Sequence, residues 1–531
     1  MREALQRPRG VRPGLEAFAR LVFQGNAIVA IIVLALIAFT VFRDAVGFLP
    51  QNHRNLVLYR QAGLEMVDLL KRGVDGHRSL VRYLAAAGTA EAGRLAAAGL
   101  DPAAIKARLA PVDDIANRLA DAIGPQEAIL GEMTEAATAL KERAKVATDL
   151  TEARQHLLAA GRNAPPARAA ELQRQAAAMV IEQIDFKQEI QPLLARRPEI
   201  AAANAQLAGT LQGLATATTR ITDPALQAKL RKFRSFLDRY TEEFAATGRQ
   251  LAAWDQDKPV RGWETFTAFA FGRDWVTASF WQDWFGILPL FTGSLLIAFL
   301  ALCLAIPLGV AAAIYVNQIA TPLEQHFIKP YIEFISAIPS VVLGFFGIAV
   351  LGETLRRLSQ LPALDWVPGF PFAERLNAGT AACLLALTAI PTIFSLAEDA
   401  LNNVPRSFRE ASLALGATRL QTIVRITVPS ALSGITAAVL LGFGRVIGET
   451  MIVLLCAGNR IEIPDFRAGP GVVFQPVHTM TGIIAQEMGE VVHGSIHYRA
   501  LFMVGAVLFL ISLLVNWLAL KIVRRYRLVS I

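Results

Sequence analysis

Six stretches of this chain are long and apolar enough to demand a bilayer as solvent. The first, near 24–46, contains the run NAIVAIIVLALIAFTVF beginning at Asn26, and the others lie near 287–316, 330–352, 379–399, 431–457 and 501–523. A helical run of this length crosses about 30 Å of hydrocarbon. The hydrophobic fraction of 54% and mean hydropathy of +0.41 exceed ordinary soluble values, and the excess sits in these blocks. The region between the first two, roughly 50–280, is instead polar and rich in Ala, Arg, Glu and Gln.

That polar region reads as helix. NHRNLVLYRQAGLEMVDLLKRG places apolar residues at 56, 59, 63, 66, 69 and 70, a period near 3.6. GPQEAILGEMTEAATALKERAKVATDLTEARQHLLAAG continues without Pro or Gly between Gly131 and its last residue. Breaks at GRNAPPA and RRPEIAAA separate further Ala-rich helices. An antiparallel bundle outside the membrane is expected; a spacer, a docking module and a ligand-sensing bundle all fit this pattern. The predicted fold is all-α. It has a tail and first anchor at 1–46, an extramembrane bundle at 47–284 and a five-helix membrane domain at 285–531.

Charge orients these segments. Arg2, Arg7, Arg9, Arg12 and Arg20 precede the first run, and Lys521, Arg524, Arg525 and Arg527 close the chain. Basic flanks mark the cytoplasmic side, so six crossings put both termini there. The 400–430 connection, with Arg406, Arg409, Arg419 and Arg425, is then also cytoplasmic. Residues 47–284, 353–378 and 458–500 face outward. No small-residue cleavage site follows the first run, which predicts an uncleaved anchor. The net charge of +8 forms no clustered basic face of the kind nucleic acid requires.

Other residue types point to structure rather than chemistry. Cys303, Cys383 and Cys456 lack zinc or disulfide spacing and are expected as small buried hydrophobes. His478, His493 and His497 lack metal-ligand spacing and are expected at a surface. Trp275, Trp281 and Trp284 precede the second span and suit an interfacial belt. Pro339, followed by Ser340, falls inside a predicted span and should kink it, either beside a path or for packing alone. Pro307 and Pro391 are expected to serve packing. No metal site and no nucleophile–base set stands out.

Two motifs carry the functional reading. In REASLALGATRLQTIVRITVPSALSG, a short helix at 410–415 is interrupted by Gly416, and a second helical run ends at Pro429. Such a helix-turn-helix can be gripped by another protein or can rest on the bilayer. In GFGRVIGET, Arg445 and Glu449 stand four residues apart in an apolar run, and Gly442, Gly444 and Gly448 allow close backbone approach. A charge in hydrocarbon costs at least about 2.5 kcal/mol. The pair is either a structural ion pair or a site where the guanidinium meets a passing anion, which it matches bidentately.

Glu410, Ala411, Gly416, Ile426 and Pro429 resemble the Glu-Ala-Ala pattern of ABC importer permeases, with departures at Ser412 and Val428. By that resemblance, Glu410 to Gly416 is the coupling helix that docks into a cytoplasmic ATPase, and the membrane core is MetI-like. Gly442-x-Gly444-Arg445-x-x-Gly448-Glu449-Thr450-Met451, with Gly458-Asn459 beyond it, is similar to the PstC-type permeases of phosphate importers. The sister PstA type shares the core of that motif but not its continuation. FGILPLFTGSLLIAFLALCLAIPLGVAAAIYV, IEFISAIPSVVLGFFGI and GSIHYRALFMVGAVLFLISLLVNWLA resemble further spans of that family, and the likeness covers about 280–527.

The resemblance implies a PstA-like second permease, two PstB-like ATPases that use ATP and Mg²⁺, and a PstS-like phosphate-binding protein. With the guanidinium read as facing the path, Arg445 is the candidate anion contact, and Glu449 and Thr450 lie beside it in the substrate path. No G-x-x-x-x-G-K-[ST] loop is present, so the work is expected from the partner ATPase and no cofactor is expected on this chain. The outward bundle departs from the compact family pattern. Two rivals are a permease for molybdate or sulfate and a membrane-anchored sensor.

Overall fold

The computed structural model describes residues 13–162, 164–219, 221, 224–277, 282–364, 366–367 and 369–525. Trp281 and Arg2, Arg7, Arg9, Arg12 and Arg527 lie outside them, as do the side chains of Arg20, Arg524 and Arg525. The chain divides into two compact units, Met1–Asn52 with Gly262–Ile531, and His53–Arg261. The bundle therefore ends earlier than the 284 expected from composition. Residues 262–277 and 282–284 pack with the membrane unit instead, through Phe269 and Trp275.

Helix α1, Pro13–Gln61, begins in the first unit and ends in the second. The second unit continues with α2 (Leu64–Ala97), α3 (Pro102–Asp121), α4 (Gly124–Arg162) and α5 (Pro166–Ala178). Single turns α6 (Phe186–Glu189) and α7 (Gln191–Leu194) lead to α8 (Arg197–Thr219) and α9 (Pro224–Ala252). The continuous helix expected through 56–70 is broken by Gly63, at φ +80°. Val74, Leu84, Leu119, Leu211, Leu214, Phe233 and Leu237 fill the core, each presented once per helical turn.

Polar groups in this interior have specific partners. The Lys141 ammonium lies 5.5 Å from the Tyr59 ring centre. Glu91 bonds Arg94 and Lys229; the Arg94 hydrogen bonds lead in holding its carboxyl below the usual range. His77 is fully buried, its Nε2 2.6 Å from the Leu119 carbonyl. A carbonyl only accepts, so Nε2 carries the proton, and Nδ1 meets no hydrogen-bond partner.

The membrane unit follows with α10 (Gly262–Ala270) and a two-stranded antiparallel ribbon, β1 (Trp275–Val276) and β2 (Trp284–Phe285). Next come α11 (Leu288–Gln318), α12 (Pro322–Ala337), α13 (Ser340–Phe346), α14 (Gly352–Ser359) and α15 (Ala378–Asn402). The remainder is α16 (Arg406–Ala414), α17 (Arg419–Thr422), α18 (Val428–Gly448), α19 (Met451–Cys456), α20 (Met480–Glu487) and α21 (Ile496–Arg525). Among the described residues five helices can each cross a membrane, or six if the bent pair at 322–359 counts as one.

The core of this unit lies between α11 and α15, with α18 and α19 closing it through Val446, Ile447, Ile452 and Val453. Pro307 and Pro391 sit inside α11 and α15, and Pro391 is buried in that packing. Helix α12 has no buried residue and is tied to α15 by the Lys329–Glu398 ion pair.

Several expectations change here. The kink expected at Pro339 is a full break, and the span expected at 330–352 is two helices meeting at 89°. Trp275 is buried rather than interfacial, because its Nε1 donates to Glu487 at 3.2 Å and its ring packs on Phe285. Cys456 is buried as expected and Cys383 partly so. Cys303, by contrast, is exposed on α11.

Burial lowers the His77 pKa against the raising effects of the Leu119 carbonyl and Glu127. A folded value below the unfolded 6.5 means its contribution is complete above pH 6.5 and is lost as pH falls through the folded value. Proteolytic resistance of the 53–261 bundle in the full chain should therefore drop as the solution is acidified below about 6.5. His77→Gln should flatten that dependence; an unchanged profile in the variant would show that another group governs it.

Candidate translocation path and coupling segment

Helix α18 ends because Gly448 is followed by Glu449 in an extended conformation, φ −72° and ψ 130°. The Glu449 carboxylate turns to the next helix and accepts from the Thr450 and Met451 N–H groups, each at 3.2 Å. A carboxylate at a helix start satisfies orphan donors and suits the dipole. The Glu449 carbonyl accepts from Thr481 Oγ1 of α20 at 3.0 Å. The expected Arg445–Glu449 pair is absent among the described residues. Four-residue spacing brings side chains together only where the helix continues, and here it stops.

The guanidinium has another partner. Arg445 Nη1 donates to Thr392 Oγ1 on α15 at 3.2 Å. The sequence reading missed Thr392; a hydroxyl directly after Pro391 was its only signal. Of the glycines expected to allow close approach, Gly442 does so: a Cβ there would stand 2.7 Å from Ile393. Gly444 and Gly448 face open space, since they lie toward the Arg445 side of α18. Arg445 is exposed on that uncovered face, while Glu449 and Thr450 are half-buried.

Pro339 produces more than a kink. Ile338 and Pro339 are both extended, with ψ 123° and 136°, as a residue preceding proline prefers. Ser340 then starts α13, which packs on α19: Cys456 Sγ donates to the Gly344 carbonyl at 3.3 Å. The breaks at Pro339 and Glu449 thus each lead into a short helix, and the two short helices lie against one another.

The candidate coupling helix begins one turn earlier than expected, at Arg406, and exposes Glu410 and Ala411. Its end is a glycine-dependent cap: Gly416 N–H bonds Leu413 O, Ala417 N–H bonds Ser412 O, and Gly416 has φ +83°. Thr418 and Gln421 form a reciprocal capping box for α17. Pro429 does not end the second run. A π-turn at Ile423–Thr427, closed by Val428 N–H on Ile423 O, precedes it, and the helical course continues into α18. The longer ring accommodates a proline that cannot donate. Ser412, a departure from the family pattern, bonds Thr422 across the turn at 3.0 Å, and Arg409 Nη2 donates to Leu401 O at the end of α15 at 3.2 Å. A groove of about 1070 Å³ runs beside α16, lined in part by Phe408, Leu415, Arg425 and Ile522.

At the opposite ends of the spans, Glu487 accepts from Trp275, from Thr277 at 2.8 Å and from His497 at 2.8 Å. Burial pushes its carboxyl up, but these hydrogen bonds and the His497 charge outweigh burial and hold it below the usual range. His478 is buried, not superficial. Its Nδ1 accepts from Thr479 N–H at 2.9 Å, its Nε2 meets Gln486, and burial lowers its pKa. His493 is exposed as expected. No cluster of metal-ligand type occurs among the described residues.

Residues 305–528 match the family described as the binding-protein-dependent transport system inner membrane component. A probable ABC transporter permease, YqgH of Bacillus subtilis, is 36% identical over 230 residues, covering 43% of this chain and 69% of that protein. The chain belongs to the ABC transporter permease family. The phosphate transport system permease protein PstC of Haemophilus influenzae is 30% identical to this permease over 269 residues, 48% of this chain and 82% of the relative. The PstC of Pasteurella multocida is 28% identical over 265 residues, 48% and 79% of the two chains. The family match takes in α12 to α21, and so Thr392, Arg445 and α16. The permease is a membrane-embedded transport subunit.

Because nothing lies within 4 Å of a Cβ at Gly416, substitution there is a test of backbone conformation alone. Gly416→Ala should destabilise by about 1–2 kcal/mol, and Gly416→Asn by less, read by thermal unfolding in detergent. Equal stability of all three proteins would contradict the left-handed cap.

Proposed function

We propose that this permease carries inorganic phosphate across a bacterial cytoplasmic membrane as the PstC-type subunit of an ATP-driven importer. The observation that carries the reading is Arg445: a guanidinium in an apolar span, bonded among the described residues only to a neutral threonine. With no carboxylate to neutralise it, its remaining N–H groups are available to an oxyanion, which a guanidinium engages bidentately. Permeases named for phosphate transport among the relatives support the substrate.

In this reading Thr392 steadies the guanidinium, and Thr450 lies beside the path. Glu449 organises the break below Arg445 rather than pairing with it. A partner ATPase, PstB-like, hydrolyses ATP with Mg²⁺ and acts on Glu410, Ala411 and the Gly416 turn. A PstA-like permease completes the path, and a PstS-like protein delivers phosphate to the outward mouth. Both termini face the cytoplasm and the 53–261 bundle faces outward, as the arginines of the 400–430 connection require. Binding must stay weak enough for release, and a single cation with a neutral partner suits that need.

Arg445→Gln should abolish phosphate uptake in cells while the assembled complex remains in the membrane; normal uptake by an assembled variant would refute the anion contact. Excess molybdate or sulfate should leave labelled phosphate uptake unchanged if phosphate is the substrate. For coupling, deletion of Ala411–Gly416 should abolish co-purification of the ATPase subunit, and retention of that subunit would place the docking site elsewhere.

A further inference from the structure

Helix α10 presents two faces of opposite character. Thr265 and Phe269, four residues apart, are buried. Trp263 and Phe266, three residues apart, are 60% and 51% exposed, and Phe271 just past the helix end is 68% exposed. Large aromatic groups adjoining one another in water are unfavourable, so the medium on that side matters.

Two contacts fix the depth of this helix against the membrane. The Phe269 ring meets Phe48 with centroids 5.3 Å apart. Phe48 follows the apolar run of α1, a run whose most apolar window has no residue buried by protein. The Phe269 carbonyl also accepts from Ile287 N–H at 2.8 Å, one residue before α11 starts at Leu288. Two spans, reached through different parts of the chain, therefore place α10 at the level where the first span ends and the second begins. Beyond the helix the chain is charged at Arg273 and Asp274, and Gly286 N–H bonds the Asp274 carbonyl at 2.9 Å, which keeps that turn beside the ribbon.

We propose that α10 is an interfacial anchor that lies in the bilayer surface, with Trp263, Phe266 and Phe271 entering the headgroup and upper acyl region. The partner is the lipid of the membrane the permease spans. A side chain facing outward at the depth of Ile287 adjoins lipid, not bulk water. Tryptophan, with an apolar body and one N–H donor, partitions to that boundary. A helix that buries one face in protein and the other in the interface needs no further partner. The interfacial role expected of Trp275 belongs instead to Trp263. This assignment depends on the membrane location alone and is independent of the transported substrate.

The test uses the full chain in nanodiscs of ordinary or brominated phosphatidylcholine. The emission of Trp263 is isolated as the difference between wild type and Trp263→Phe, a substitution that keeps an aromatic ring on an exposed face. Bromolipid should quench that difference emission strongly while aqueous iodide leaves it unaffected. Introducing Phe266→Trp into the Trp263→Phe protein should restore a bromolipid-quenched signal. Quenching by iodide and not by bromolipid would put the face in water and overturn the proposal. Insensitivity to both quenchers would mean that protein covers it, and would overturn the proposal equally.

Discussion

Within hydrocarbon, a backbone N–H or C=O left without a partner costs several kcal/mol, more than most single side-chain contacts contribute. This permease breaks its helices at Ile338–Pro339 and again at Glu449, and each break is met by specific bonds: the Pro339 carbonyl accepts from Val342 and Leu343 N–H groups. Thr481 of α20 donates to the Glu449 carbonyl, and the Glu449 carboxylate takes the first N–H groups of the following turn. Cys456 reaches the Gly344 carbonyl from the second short helix to the first. Diverting Glu449 to this task leaves Arg445 without an acidic partner. The positive charge remains in the last turn of α18, where the helix dipole favours a cation.

The same helices connect that charge to α16. Arg409 ties α16 to the end of α15, and Ser412 ties it to Thr422, at the foot of the course that becomes α18. Helix α15 carries Thr392 and α18 carries Arg445, and the two pack closely where Gly442 meets Ile393 and Gly434 meets Ala400. Helix α16 is therefore bonded to the ends of both courses that hold the guanidinium and its hydroxyl partner. The glycine cap at 416 and the π-turn before Pro429 let the chain reverse and re-enter the membrane without an interruption of the helical course.

Much of this was legible in the residues. Apolar runs found the spans, because length and hydropathy are properties of a local window. The bend at Gly416 followed from a residue that tolerates left-handed angles. What misled was the extension of local geometry past a break. Arg445 and Glu449 looked paired on the premise of one unbroken helix. Pro429 looked like an end because a π-turn cannot be read from a proline. Trp275 and His478 looked superficial since their partners, Glu487 and Gln486, are brought to them by packing rather than by proximity to an apolar run.

Sequence alone determined that this chain lives in a membrane, that its long polar region is helical, and that a cation lies within an apolar span. Those properties are set by composition and period over a few turns. Only the tertiary structure decided which side chain answers the Arg445 cation and which aromatics remain outside the protein core. It also decided that residues 262–277 and 282–284 belong to the membrane unit. Each of those outcomes depends on atoms brought together from distant parts of the chain, at helix breaks whose angles no local pattern specifies.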